Sequence, residues 1–496
     1  MGTEVIDVLV VGGGPAGLTL ARALTAGHPG LSVTVLEGAG RVGGKARTEI
    51  RDGYTFEHGP SDYTRNPEMV RLIEDSGLGD RVEVAPLRSL TRMAIVRDGR
   101  LLPTPRSPLG ALTTPLLSPA AKARMLLEPL FARRPGPEGD ESVHDMAARH
   151  FGAEVADRVV RNMLLGTAAC DARTTSVRAL APALWDFERD AGRAGLLAHA
   201  VRSALRRRGG DRMRAPDVMH LVPGGVAALW ERLATDLDGR VVTGAPAVSL
   251  EVDEDRRYAV TVTDGTRYVA RTVVLAVPAY TAAALVAGMA PRAAEILRGI
   301  TYSGLRVFGL GYRDDELARF PDGIGFLVPR GEGARMFAVA AVSRIVAAHA
   351  PDGHVLLRVF MGGSEDPGVF DLTRDEAVEE IRRDLRRFTG MTAEPGFVAE
   401  ASDRRAIPRY EVGHAARLEQ AEAALLEYPG LFLAGNSYRS LGLTATVLRA
   451  ARLAPVVAER ARRAARSERR PGPRGPARSR RGPSGTQHGP SETRSE

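Results

Sequence analysis

Gly12, Gly14 and Gly17 stand in the stretch VVGGGPAGLTLARAL at the spacing G-x-G-x-x-G. Glycines so spaced allow a tight turn, close approach of backbone to a pyrophosphate, and close packing of helix on strand. Gly13, Pro15 and Ala16 complete the turn. The helix that opens there offers free amides and the positive end of its dipole to phosphate. Glu37 ends a second apolar run, LSVTVLE, 25 residues after Gly12. A carboxylate there can accept hydrogen bonds from both hydroxyls of a ribose. Gly38, Arg41, the pair Gly43–Gly44 and Lys45 follow at once in GAGRVGGKART. The glycine pair lets a backbone segment approach a second part of a long dinucleotide cofactor, and Arg41 can neutralise its diphosphate.

These residues need a parallel sheet to hold them, and its strands are scattered along the chain. VIDVLVV is the first strand and LSVTVLE the second. In GYTFEHGPSDYT, a turn at Gly59–Pro60, continued by Ser61 and Asp62, carries backbone past the cofactor ring; His58 beside it reads as structural. RVVTGAPAVSLEVDEDRRYAVTVTDGTRYVARTVVLAVP shows alternating strands with a hairpin at Asp264–Gly265, then a fully apolar strand buried on both faces. Val248 in this block is placed to meet an adenine edge with its backbone. Far away, LFLAGNSY (Leu431–Tyr438) reads as the last parallel strand, running into a turn at Gly435. Leu441, Gly442 and Leu443 then lead into a helix from about Thr444. In a split dinucleotide-binding fold the carboxyl end of that strand lies beside the first glycine turn, where ligands bind in open α/β sheets. The two ends of the chain would then form one site.

The fold class that follows is α/β: a split Rossmann-type cofactor domain, an antiparallel-sheet substrate domain and a helical insertion. The expected boundaries are 1–85, 213–285 and 425–465 for the cofactor domain, and 86–105 and 286–424 for the substrate domain. The helical insertion takes 106–212, with a basic tail at 466–496. Within the insertion, LGALTTPLLS is apolar and marks a candidate contact with a membrane surface. RRAIPRYEVGH reads as a loop, and TRDEAVEEIRRDLRRFTG as a helix between a Thr cap and a terminal Gly.

Composition bounds the rest. The chain has 496 residues, enough for two or three domains. No apolar run reaches the roughly 18–20 residues that span a bilayer. Cys170 is the only cysteine, so disulfides are excluded and a cytoplasmic location is expected. The first strand follows the initiating Met so closely that no secretory signal is expected. From Arg460 to Glu496 there are eleven Arg and three Glu, 11 − 3 = +8, which equals the whole formal net charge. The high pI therefore describes a tail rich in Arg, Pro, Gly and Ser, read as a solubilising end with no nucleic-acid partner.

The 41–45 extension resembles flavoproteins of the amine oxidase type and favours FAD over NAD. No second G-x-G-x-x-G follows a strand, so electrons are expected to enter from the substrate, as in an oxidase or dehydrogenase. A wider set of stretches resembles the protoporphyrinogen and coproporphyrinogen oxidases. They are VVGGGPAGL, RVGGK, FEHGPS, DESVHDMAARHFGAEVADRVV, TTSVRALAPALWDFERDAG, VPGGVAAL, VVLAVPA, AIPRYEVGH and PGLFLAGNSYR. The resemblance implies FAD, molecular oxygen as acceptor, a tetrapyrrole substrate and a six-electron oxidation yielding hydrogen peroxide, with peripheral membrane contact open. It implies FAD contacts at Gly12 to Gly17, Glu37, Arg41, Lys45, Gly59, Pro60, Val248 and Leu441 to Leu443. Arg106 and Arg409 are candidates for substrate carboxylates. No catalytic base is named, and no metal. Two departures leave the substrate open: Asp403 stands where the family usually has Trp, and Ser440 and Ala450 replace glycines. A flavin oxidase acting on another substrate, such as an amine or a biosynthetic intermediate, and a non-catalytic flavin-binding scaffold are the alternatives.

Overall fold

β1 (Ile6–Val11) is apolar at every position but Asp7 and β-branched at four, so it suits the middle of a parallel sheet with both faces covered. It lies there in a computed structural model describing residues 4–85, 93–105, 108–131, 139–191, 195–196, 199, 217–317, 320–439 and 441–469. β2 (Val33–Leu36) pairs with it on one side and β13 (Arg267–Leu275) on the other, both parallel. β10 (Val241–Val242) extends the sheet beyond β2, and β19 (Leu431–Leu433) pairs in parallel with the end of β13. The first half of β13 turns back through the Asp264–Gly265 hairpin onto β12 (Tyr258–Val262), which pairs with β11 (Ala247–Val252). The register brings Leu36, Val11, Leu275 and Leu433 side by side in one row across the sheet. The carboxyl ends of four strands therefore open on one crevice.

Alternation along β1 explains the layers. Val8 and Val10 face the first helix (Pro15–Gly27), the helix Ala227–Asp236 and the closing helix (Leu443–Arg469). Leu9 and Val11 face the helices Ala279–Val286, Pro291–Arg298 and His414–Ala424. The closing helix runs four residues past the expected boundary at 465. Glu468, expected in a tail, pairs with Arg257 and Arg271 at 2.8 Å each. Residues 470–496 lie outside the described residues.

A second seven-stranded sheet runs in the order β18 (Phe397–Pro408), β14 (Tyr302–Arg313), β17 (His354–Gly363), β16 (Met336–Ala341), β15 (Gly325–Leu327), β7 (Met93–Arg97), β8 (Arg100–Pro103). It is antiparallel as expected, except that β15 and β7 pair in parallel. The helix Arg374–Thr389 covers one face, opened by a capping box between Thr373 and Glu376 and closed by Gly390. RRAIP is no loop: it ends the twelve-residue edge strand β18, paired with β14 as far as Pro408. An edge strand with one solvated side tolerates the polar run that hid it.

Two smaller sheets link these layers. β3 (Thr48–Arg51) pairs with β4 (Tyr54–Glu57), and β9 (Val218–Leu221) lies between β5 (Tyr63–Thr64) and β6 (Val82–Ala85). The insertion is helical, with Ser142 capping the helix Val143–Phe151. Its centre is ionic: His150 lies between Glu128 at 2.6 Å and Glu188 at 2.8 Å. Leu116 and Leu117 of LGALTTPLLS are buried, so that stretch does not present them to a membrane. Among the insertion's described residues, the exposed large apolar side chains are instead Leu126, Leu127, Leu130, Phe131 and Leu184. No described helix is long and apolar enough to cross a membrane.

Candidate functional site

The glycine turn is held from behind by backbone. Gly12 N–H donates to Leu36 O at 2.7 Å, and Gly43 N–H donates to Gly13 O at 2.9 Å. A Cβ at Gly17 would lie 1.9 Å from Gly12 O, so the first helix can approach β1 this closely only with glycine there. Gly14 differs: nothing approaches its would-be Cβ nearer than Gly44 Cα, at 3.9 Å. One glycine is a packing requirement, whereas the other leaves room. Pro15 and Ala16 begin the helix, whose first-turn amides carry no side-chain cap from Gly14. Glu37 is fixed at the end of β2 because its carboxylate accepts from Gly13 N–H at 2.7 Å and Ala39 N–H at 2.8 Å. Gly38 sits against Pro246, which brings the exposed Val248 on β11 to the same edge.

Arg41 folds over its own loop and donates to Val42 O and to Gly44 O at 2.9 Å. Burial and the neighbouring Arg47 lower its pKa, partly offset by Glu37. An anion in the crevice would relieve that strain on the charge. Lys45 points elsewhere. Its Nζ pairs with Asp403 and donates to Arg405 O at 2.5 Å, tying the glycine loop to β18. Asp403, the departure noted in the sequence, therefore has a partner in the loop expected to hold FAD. Arg405 lies over the ring of Tyr280 at 4.6 Å, and Tyr280 meets Tyr302 edge-on.

The segment after β4 runs from one half of the crevice to the other. At Gly59 a Cβ would lie 2.3 Å from Lys45 O. At its far end Thr64 N–H donates to Thr444 Oγ1, in the first turn of the closing helix, at 2.9 Å. Pro60, Ser61 and Asp62 lie between, with Ser61 Oγ donating to Asp62. Gly435 follows β19, with Ala16 4.0 Å from where its Cβ would be; β13 stands between β19 and β1, so the last strand joins the crevice one place further out than adjacency would put it. Gly442 has φ +94° with open space about it, flanked by Leu441 and Leu443. Ser440 lies outside the described residues. Ala450 is buried in the core beside Val447 and Ala454, so its methyl group is taken up by packing in the closing helix.

Behind Gly59–Asp62 lies a buried polar layer that sequence reading missed. Glu57 accepts from Val226 N–H at 2.9 Å and from Thr48 Oγ1 at 2.8 Å, and burial pushes its pKa up to about 7. His220 Nδ1 meets Ser61 O at 3.1 Å, and its ring lies edge-on to His349. Burial, with His220 and Arg358 adding to it, pulls His349 down to about 3. Arg358 donates to Gly59 O at 2.8 Å. The Arg358 signal was visible only as a charge inside the apolar strand HVLLRVFMGG. His58, read from the sequence as structural, lies 3.1 Å from Glu49.

The crevice thus offers free helix amides, the Glu37 carboxylate, a cation and an open glycine face, contributed by residues 12–17, 37–45, 59–64, 435–439 and 441–444. These fit FAD. Residues 15–455 match the family of flavin containing amine oxidoreductases.

The chain belongs to that family.

As a flavin containing amine oxidoreductase it is an FAD-dependent enzyme, and it is similar to several porphyrinogen oxidases. A chloroplastic protoporphyrinogen oxidase of Oryza sativa subsp. japonica is 29% identical over 461 residues, 88% of this chain and 85% of the relative. A coproporphyrinogen III oxidase of Bacillus subtilis (strain 168) is 23% identical over 453 residues, 88% of this chain and 94% of the relative. The crystal structure of a presumed protoporphyrinogen oxidase from Exiguobacterium sp. 255-15 superposes with a TM-score of 0.78 at 25% identity, covering 92% of this chain and 100% of that one. For the amine oxidoreductase's substrate candidates, Arg409 is held by Glu411 at 2.9 Å, and Arg106 lies outside the described residues.

Proposed function

We propose that the enzyme oxidises a porphyrinogen, coproporphyrinogen III or protoporphyrinogen IX, to the porphyrin, with molecular oxygen as acceptor and hydrogen peroxide as product. The observation that carries this is the joining of two distant stretches that the porphyrinogen oxidases share. Tyr410 of AIPRYEVGH donates to Asn436 O of LAGNSY at 2.7 Å, and His414 meets Tyr438 O at 2.7 Å. Tyr410 and His414 stack with ring centroids 4.2 Å apart. The same turn places Ser437 against Tyr302 at 2.8 Å, on the sheet that walls the crevice.

Bound FAD supplies the hydride acceptor; the chain's own residues hold and surround it. The glycine turn and first helix take the diphosphate, and Glu37 takes the ribose. β14 and β17 provide the wall against which a flat macrocycle is oriented, and aromaticity of the product supplies the driving force. The test is aerobic turnover. Each porphyrinogen should yield its fluorescent porphyrin together with peroxide, faster than its spontaneous oxidation in the same buffer. Rates equal to the protein-free control would refute the proposal.

One observation favours a second reading, a flavin oxidase of the same fold with another substrate. Asp403 puts a carboxylate, paired with Lys45, where an aromatic side chain is usual. Turnover of an amine without turnover of either porphyrinogen would select it.

A further inference from the structure

Arg358 belongs to β17 in the antiparallel sheet, but its guanidinium serves the other half of the molecule. It is 4% exposed. Its Nη2 donates to Gly59 O at 2.8 Å, while Nε has no hydrogen-bond partner among the described residues. Another buried arginine of this sheet, Arg306, shows the usual arrangement: its Nε donates to Glu400 at 2.8 Å and its Nη1 to two backbone carbonyls. Arg358 has no carboxylate in ion-pair contact among the described residues. Glu57 and Asp62 act on it only through space. Its contacts are the Gly59 carbonyl and the ring of Phe360, 5.1 Å from the guanidinium carbon. A buried cation without an ion-pair partner is costly and persists where something nearby gains from it.

What lies nearby is the Gly59–Asp62 segment, anchored at one end against Lys45 and tied through Thr64 to the closing helix. We infer that Arg358 is an electrostatic positioning residue for the flavin: it fixes the Gly59 carbonyl and sets a full positive charge behind the segment that borders the crevice. That charge stabilises the negative charge the flavin ring gains on reduction, as preorganised cations do at sites of developing charge. The inference rests on FAD occupying this crevice. It does not depend on which substrate is oxidised.

The test uses the full chain loaded with FAD, equilibrated anaerobically with a redox dye of known potential. Arg358→Met should make flavin reduction about tenfold or more less favourable, the scale of one charge at moderate range in a protein interior. Arg358→Lys, which keeps the charge, should stay within about threefold of wild type. A Met variant that retains FAD and shows the wild-type equilibrium would overturn the inference. If the Met variant does not hold FAD, Arg358→Gln, neutral but still able to donate to Gly59 O, decides: a tenfold loss upholds the role of charge, and the wild-type equilibrium overturns it. A merely structural role would lower thermal stability and leave the equilibrium of the bound flavin unmoved. Wild-type protein that takes up no FAD would instead strike the cofactor assignment, and inertness toward porphyrinogens would strike only the substrate proposal.

Discussion

The two seven-stranded sheets present their halves of the site in different materials. The parallel sheet offers backbone: glycine amides, a helix terminus and strand ends set in register. The antiparallel sheet offers side chains on long strands, such as Tyr302 and Arg358, whose partners Ser437 and Gly59 lie 135 and 299 residues away in the chain. Backbone recognition requires glycines at fixed spacing and so leaves a local signature. Side-chain recognition requires only that distant residues meet, and leaves none.

The largest effects should separate packing from recognition within the backbone half. Gly17→Ala forces a Cβ to 1.9 Å from Gly12 O, and should cost more than about 4 kcal/mol in urea unfolding of the apoprotein. Gly14→Ala meets no atom nearer than 3.9 Å; it should leave apoprotein stability within about 0.5 kcal/mol while weakening FAD binding tenfold or more, roughly 1.4 kcal/mol. Equal behaviour of the two variants would break the distinction.

In the side-chain half, Arg306→Met strands the Glu400 carboxylate. About 3–5 kcal/mol of stability should be lost, with FAD affinity in the surviving folded protein unchanged. A parallel loss of FAD affinity would show that the two halves are not separable.

Where the halves meet, Glu57 and His349 should oppose each other in pH dependence. Glu57 has a raised pKa, so its contribution is present below about 4.5 and is lost as pH rises through about 7. His349 has a lowered pKa, so its contribution is present above about 6.5 and is lost as pH falls toward 3. Between pH 4.5 and 6.5 the two slopes cancel. Glu57→Gln should make stability rise with pH relative to wild type, by up to about 1.4 kcal/mol per unit, and His349→Gln should make it fall. Denaturant midpoints at pH 5 and pH 6 decide; parallel curves for all three proteins would contradict the assignment. The smallest effect belongs to the tie across the rim. Lys45 and Asp403 are 35% and 44% exposed, so Lys45→Met should change stability by no more than about 1 kcal/mol. A larger loss would mean that the tie holds the sheets together.

The same contrast explains what could be read beforehand. The Asp264–Gly265 hairpin and the Thr373 cap act within a few residues of their own position, and each was legible; the glycine turn and Glu37, which meet across 24 residues, were legible through their fixed spacing. Leu431–Leu433 was legible as a strand because apolar residues end on a glycine turn, although its place beyond β13 was not. β18 was missed because Arg404 and Arg405 look like loop and lie on an edge. Glu468 looked like tail because its partners, Arg257 and Arg271, are some 200 residues away. Leu116 and Leu117 looked exposed because nothing local shows that the insertion buries them. Arg358 was passed over since one charge in an apolar strand has no meaning until Gly59 is beside it.

The central claim is that this FAD crevice takes electrons from a porphyrinogen. Anaerobic mixing of the FAD-loaded protein with coproporphyrinogen III, and separately with protoporphyrinogen IX, tests it in a single turnover. The flavin's visible absorption should bleach as porphyrin absorption grows, with at least one of the two. Fully loaded protein whose flavin stays oxidised with both would contradict the account.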